Sequence, residues 1–554
     1  MVDCPTELQS SIINQQSKIE NRRSRFRTDW LLLAGFCAFL FFYGLGYFGL
    51  VGADEPRYAQ IAREMLARGD WITPVLGGKP WLEKPPLYYW QAMLTYSIFG
   101  VSDWAARLPS AVDATLMVIA IYFFLRKVRP GLCLDGAMMT ASAAGVIGFA
   151  RAASTDMPLA ATFTIAMLGW YAWYEHDARA YLAGSYVFIA LATLAKGPVA
   201  PFLAIGIIVV LAAVKKDYNL LRRTLWIPGI VLFCVVTFPW FVAVQIRNPE
   251  FFRVFILQHN LARFGSNLYH HKEPLWYFVP VTLLAVIPWT VLACASVTQT
   301  VRDCWARRHQ VLQSEDALNV FLGIWLLVPV IFFSISQSKL PGYILPAVPA
   351  GTLLAAEYVR RHLRDNGSPG ATVAVLHAIV AAVPVVPALM IQYLVLQHRL
   401  PWGRAAAMSF GFAFVLATSL ALSLLSRVGW GGLRFSLVPV ALGVAAVLRL
   451  GAPSLDATLS ARPVANEISA LEKTRLPLAV FQVSRELEFG LAFYRSQVIA
   501  RYESGEIPPT EHLLLAPEGS QVEIAKQVQG RRVSYLGSFA PQGLDYYWVA
   551  GENH

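Results

Sequence analysis

Ionisable residues cluster at the ends of apolar runs in combinations that could handle a charged, lipid-borne substrate. ADEPRYAQIAREMLARGDWITP (53–74) opens with Asp54, Glu55 and Arg57, and GGKPWLEKPPLYYW adds Glu83 and Lys84. RAASTDMPL contributes Asp156, ATLAKGPVAP contributes Lys196, and QSKLPGYILP contributes Lys339 and Tyr343. FILQHNLARFGSNLYHHKEPLWYF carries His259, Arg263, His270, His271, Lys272 and Glu273. Cations at a membrane boundary suit a lipid-linked phosphate, and carboxylates suit a sugar or an acceptor proton, so the set points to an enzyme with a phospholipid-type donor. Each residue also has a plainer reading. Asp54 and Asp156 could cap helices, with Pro56 and Pro158 in the first turn, Lys196 and Lys339 could snorkel, and the histidine pair could be surface polarity.

The elements that must position these residues are membrane spans. Of 554 residues 56% are hydrophobic, 13% aromatic and only 15% charged, which excludes an ordinary soluble protein. A bilayer core of about 30 Å takes roughly 20 apolar residues as a helix. Suitable runs fall at 29–51, 104–125, 136–153, 157–174, 179–196, 199–214, 224–246, 275–297, 318–335, 343–360, 371–396, 404–425 and 434–451, giving an expectation of about 13 transmembrane helices. The formal charge of +11 then reflects basic loops rather than nucleic-acid binding.

Sidedness turns on PPLYYWQAMLTYSIFG (85–100), which is short and polar for a span. Treated as interfacial, it leaves NRRSRFR (21–27), RKVR (126–129), KKDYNLLRR (215–223), VRDCWARRH (301–309), RRHLRD (360–365) and SRVGWGGLR (426–434) on one side, the cytoplasm by the positive-inside rule. All the candidate groups then face the opposite side, with the C-terminal hundred residues. Tyr58, Ile61, Ala62, Met65 and Leu66 recur at helical spacing, with Arg57, Gln60, Arg63, Glu64 and Arg68 on the other face. That pattern predicts an amphipathic helix on the membrane surface.

From about 455 short helices and strands alternate: ARPVANEISALEK, LAVFQV, RELEFGLAFYR, HLLLA, SQVEIAKQVQG, RRVSYLG and DYYWVA. They predict a small α/β domain over 455–554 after a transmembrane catalytic domain over 1–454, whose first outer loop is 52–103. The six cysteines, Cys4, Cys37, Cys133, Cys234, Cys294 and Cys304, form no CxxC or zinc pattern. The first apolar run begins too late for a typical cleavable signal and reads as an uncleaved span.

DEPRYAQIAREML, LEKPPLYYW, LAKGP and SKLPGYILP resemble the corresponding stretches of the aminoarabinose transferases, polyprenyl-phosphate-dependent glycosyltransferases of the GT-C fold related to the protein O-mannosyltransferases. The resemblance extends over nearly the whole chain. It implies a multi-pass protein of the bacterial inner membrane with periplasmic juxtamembrane helices and its active site facing the periplasm. The implied reaction is inverting transfer of 4-amino-4-deoxy-L-arabinose from undecaprenyl phosphate to lipid A phosphates, which confers polymyxin resistance. By the same resemblance Asp54 and Asp156 are the catalytic acids, and Lys84 with Arg57 anchors the polyprenyl phosphate. Glu55, Tyr58, Arg263, Lys339 and Tyr343 line the substrate pocket, and Glu83 with His270 or His271 could hold a divalent metal.

A phosphate monoester, with a second pKa of about 6, is already anionic and needs no general base, whereas a hydroxyl acceptor does. A lipid A acceptor therefore leaves the carboxylates to hold the sugar's ammonium, orient the donor or stabilise the reacting carbon. The leaving phosphate needs cations. A GT-C enzyme with a hydroxyl acceptor is the alternative. A transporter would show internal repeats and mid-membrane charges, and neither is evident.

Overall fold

The computed structural model describes residues 26–262, 273–306, 314–364, 370–383, 430–528 and 530–552. Among them Asp103–Val128, Ile227–Arg247 and Asp316–Ile335 are helices long and apolar enough to cross a membrane, rising to six spans if each of three bent helix pairs counts as one. This is a helical membrane protein. Residues 384–396 and 404–425, where two further spans are expected, lie outside the described residues.

Two expected continuous spans are broken. Within 136–153 the helices Cys133–Ala141 and Ala144–Ala150 meet at 63°, and within 275–297 Phe278–Ala285 and Thr290–Ala306 meet at 116°. The breaks repair each other. Ala144 N–H donates to Ile287 O at 2.9 Å, and Trp289 Nε1 donates to Ser142 Oγ at 2.9 Å. A Cβ on Gly145 would come within 2.9 Å of Ala285 Cβ, so glycine permits the approach. Backbone groups freed from a helix within apolar surroundings must find partners, and here each break serves the other.

Leu87–Phe99, inside the disputed 85–100 run, is a helix of 13 residues. At 1.5 Å per residue it reaches about 20 Å, short of a bilayer. It packs against the Asp54–Arg68 helix, which ends at left-handed Gly69 (φ 62°). The apolar face of that helix does not lie on a membrane surface as expected. Tyr58, Ala59, Ile61, Ala62 and Met65 are buried among Tyr88, Tyr89, Met93, Tyr96 and Phe493. The polar face meets protein too, with Arg63 Nη1 bonded to Phe493 O.

Phe493 comes from the C-terminal elements. Their five-stranded mixed sheet runs in the order Ala500–Arg501, Leu478–Val480, His512–Pro517, Leu544–Val549, Val533–Phe539. The first three strands are parallel and the last two antiparallel to their neighbours. Separate apolar clusters cover the two faces. The helices and strands read from the sequence fall at these positions, and the short Ala500–Arg501 strand is additional.

Arg462 fastens this sheet unit to the rest. It bonds Asp103 at 2.9 Å, Asp456 at 2.7 Å and the carbonyls of Gly46 and Tyr47 at 3.1 Å each. Tyr494 Oη adds a bond to Asp103 and accepts Leu50 N–H.

Candidate active site

The site is assembled around a charge knot. Arg107, inside the Asp103–Val128 helix, is 1% exposed, so all five of its N–H groups need partners. Nε and Nη2 grip Glu55 at 3.0 and 2.7 Å, and the remaining protons go to the carbonyls of Leu45, Phe48 and Gly49 at 2.8–2.9 Å. Glu55 in turn accepts Val51 N–H at 2.8 Å and Ala153 N–H at 2.7 Å. Every donor of the guanidinium and four acceptor positions of the carboxylate are filled. One ion pair thereby ties the end of the first span to the segments that carry Asp54 and Asp156.

Asp54 is the first residue of its helix and Asp156 the first of Asp156–His176; the cap positions are Ala53 and Thr155, neither with a side-chain cap bond. The capping expectation is thereby corrected. Negative charge in a first turn still favours the helix dipole, but each carboxylate faces a cation instead. Asp54 pairs with Arg57. The Arg57 guanidinium lies 5.1 Å from the centre of the Tyr58 ring, 5.2 Å from Trp81 and 5.9 Å from Phe489. Burial alone would pull Arg57 down, but Tyr58, Asp54, Glu83 and Tyr89 outweigh it and hold its pKa above the ordinary value. Tyr58 is pushed up by burial first and then by both Asp54 and Asp156, so its phenol stays protonated between the two acids.

Asp156 and Lys196 meet through a helical hairpin. Asp156–His176 runs away from the site and Arg179–Lys196 returns, so the start of one lies beside the end of the other. Gly197 (φ 89°) stops the second helix with Lys196 as its last residue, where a cation complements the dipole. Lys196 pairs with Asp156 and sits 4.9 Å from the centre of the Tyr343 ring. Tyr343 belongs to a 3-10 turn, Pro341–Ala347. The neighbouring Gly342 allows that turn to close on the acid, because a Cβ there would meet Asp156 Oδ1 at 2.8 Å.

Lys196 and Tyr343 also line a cavity of about 550 Å³. Its lining combines Lys84, Lys196, His259 and Tyr343 with the apolar side chains of Phe202, Ile256, Phe332 and Phe333. A second cavity, of about 490 Å³, shares His259 and is bordered by Trp81, Glu83 and Arg247. The first arrangement can hold an anionic head on cations while an apolar tail follows aromatic walls.

The structure thus brings together Asp54, Arg57, Tyr58, Glu83, Lys84, Asp156 and Tyr343. Two expected pocket residues are corrected. Glu55 is saturated by the knot, with all four acceptor positions taken by this chain. Lys339, 6% exposed, donates to the carbonyls of Ser336 at 2.7 Å and Glu273 at 3.0 Å, and so staples its own loop. Arg263, His270 and His271 lie outside the described residues.

Sequence reasoning missed Arg107, although an arginine inside an apolar run cannot stay unpartnered. It also missed Phe333 and Phe489, which carry no sequence signal. Among the described residues no group of three or more His, Cys, Asp and Glu side chains could hold a metal ion. Glu83 lies 3.6 Å from His259, and the other expected ligands, His270 and His271, lie outside the described residues.

The architecture defines a class, the GT-C membrane fold. The structure resembles two crystal structures of ArnT from Cupriavidus metallidurans. The form bound to undecaprenyl phosphate matches with a TM-score of 0.73 at 24% identity over 94% of this chain and 97% of that one. The apo form gives 0.74 at 22% identity over 94% and 98%.

By sequence the chain is similar to undecaprenyl phosphate-alpha-4-amino-4-deoxy-L-arabinose arabinosyl transferases. That of Yersinia enterocolitica (serotype O:8 / biotype 1B) is 31% identical over 352 residues, 61% of this chain and 62% of the relative. That of Pseudomonas aeruginosa (strain UCBPP-PA14) is 32% identical over 355 residues, 62% of each. The chain thus covers 62% of the length of these curated relatives. The likeness reaches nearly the whole chain in fold but only about three fifths of it in sequence. The family model for dolichyl-phosphate-mannose-protein mannosyltransferase matches residues 29–255, the stretch that holds Asp54, Lys84, Asp156 and Lys196.

Proposed function

We propose that this chain is an inverting membrane glycosyltransferase that moves 4-amino-4-deoxy-L-arabinose from undecaprenyl phosphate to lipid A phosphates, and so confers resistance to polymyxin and related cationic peptides. The observation that carries the reading is a cavity lined by both Lys84 and Lys196 and by the aromatic side chains of Phe202, Phe332 and Phe333. The polyprenyl tail lies along Phe202, Phe332 and Phe333, and the donor phosphate is held by the lysines together with Arg57. As the sugar–oxygen bond breaks, negative charge grows on that phosphate, and fixed cations stabilise it most at that moment. The similar arabinosyl transferases support the choice of sugar and lipid carrier.

The lipid A phosphate attacks as an anion without a base. Asp54 and Asp156 each stand beside a cation. Their work in this scheme is to hold Arg57 and Lys196 and to balance positive charge on the amino sugar and its reacting carbon. No step is routed through a metal ion.

The basic loops at 126–129, 215–223 and 301–309 set the cytoplasmic side, which directs the site to the periplasm of the bacterial inner membrane. In this reading residues 1–454 form the catalytic membrane domain with about 13 spans, and 455–554 form a periplasmic domain.

The match to the mannosyltransferase model favours a second reading, a GT-C enzyme with a protein hydroxyl acceptor. Mass spectrometry separates the two. The chain is expressed in a polymyxin-sensitive strain that makes the donor but lacks its own transferase. Lipid A gaining one or two aminopentose units, with restored resistance, is the expected result; unchanged lipid A with sugar on protein establishes the second reading.

A further inference from the structure

The C-terminal helix Arg485–Arg495 turns two different faces to its surroundings. Leu487, Gly490, Leu491 and Phe493 point into buried contacts, and a Cβ on Gly490 would come within 2.5 Å of Ala461, so the helix is pressed onto Arg462–Leu471. Phe489 is half-buried and is absent from both apolar clusters of the sheet unit. Its ring instead faces Arg57, 5.9 Å from the guanidinium carbon. Tyr58 and Trp81 face the same guanidinium, so three rings from three separate segments surround one cation. Neighbouring contacts hold this geometry in place: Arg63 bonds to Phe493 O, and Tyr494 bonds to Asp103 and Leu50.

We infer that the C-terminal unit reaches the donor site through Arg57, with Phe489 as a positioning residue that completes an aromatic cage and fixes Arg57 toward the donor phosphate. This rests on the reading above, in which Arg57 with Lys84 binds that phosphate. A guanidinium over aromatic faces is attracted by the ring quadrupoles, most strongly where water is excluded. Arg57 is also tied to Asp54, so the cage settles the direction of a group whose charge is already secured. The sheet unit thereby acts on the reaction through one side chain as well as by docking.

The test uses the full chain in lipid nanodiscs, with undecaprenyl phosphate as the probe. Phe489→Leu keeps apolar volume and removes the ring, Phe489→Tyr keeps the ring, and Arg57→Ala removes the cation. Phe489→Leu is expected to insert and melt as wild type yet bind the probe about tenfold more weakly. Phe489→Tyr restores binding, and Phe489→Leu adds nothing in an Arg57→Ala background. Wild-type affinity in Phe489→Leu, while Arg57→Ala binds weakly, overturns the cage and leaves the donor reading standing. An unchanged affinity in Arg57→Ala overturns the donor role of Arg57, and the inference falls with it.

Discussion

The knot at Glu55–Arg107 and the pair at Asp156–Lys196 are both carboxylate–cation contacts on the same side of the molecule, and they are built for opposite ends. In the knot every proton and acceptor position is taken by this chain, and the side chains are 8% and 1% exposed. Nothing is left to offer a ligand. At the second pair the side chains are 11% and 12% exposed, and Lys196 also borders an open cavity beside an aromatic ring. Saturated charges hold a fold together, whereas charges with capacity left toward a cavity can bind.

Three substitutions put that contrast under strain, and the largest effect belongs to the knot. Glu55→Gln leaves Arg107 charged and buried without a counterion, which costs about 3–5 kcal/mol. The expected result is loss of monodisperse protein on size-exclusion chromatography in mild detergent. A well-behaved Glu55→Gln protein with impaired transfer would instead make Glu55 a site residue.

Lys196→Met should leave the fold intact, because the side chain keeps its length and Asp156 retains some access to water. Transfer should fall by about 100-fold, the usual cost of removing one preorganised group that stabilises developing charge. Near-normal transfer would make Lys196 a snorkelling residue and erase the contrast.

Gly342→Ala is the finest probe. Its new methyl would come within 2.8 Å of Asp156 and 2.9 Å of the Phe149 ring, so the acid or the ring must shift, and transfer is expected to slow roughly tenfold. Unaltered rates would show that the place of Asp156 beside the Pro341–Ala347 turn is not critical.

Much of the site was legible because apolar runs expose their exceptions. Asp54, Lys84, Asp156 and Tyr343 stand at the ends of hydrophobic stretches, and their types alone suggested an anionic lipid substrate. Glu55 and Lys339 stand at equivalent places and share that chemistry, so sequence could not separate them from their neighbours. What separates them is partnership: Arg107 is 52 residues from Glu55, and the Glu273 carbonyl is 66 residues from Lys339. Phe489 was invisible for the same reason, since nothing local distinguishes a core phenylalanine from one that faces an arginine more than 400 residues away.

By itself the sequence determined that this is a helical membrane protein, that its ionisable groups gather at the ends of apolar runs, and that short strands and helices alternate in its last hundred residues. Hydrophobic periodicity and charge bias are local properties and survive without a structure. Which carboxylate is tied down, which lysine faces the cavity and where two spans break were decided only by the tertiary structure. A buried charge or a freed backbone group takes whichever partner packing brings within 3 Å, and sequence distance does not constrain that choice.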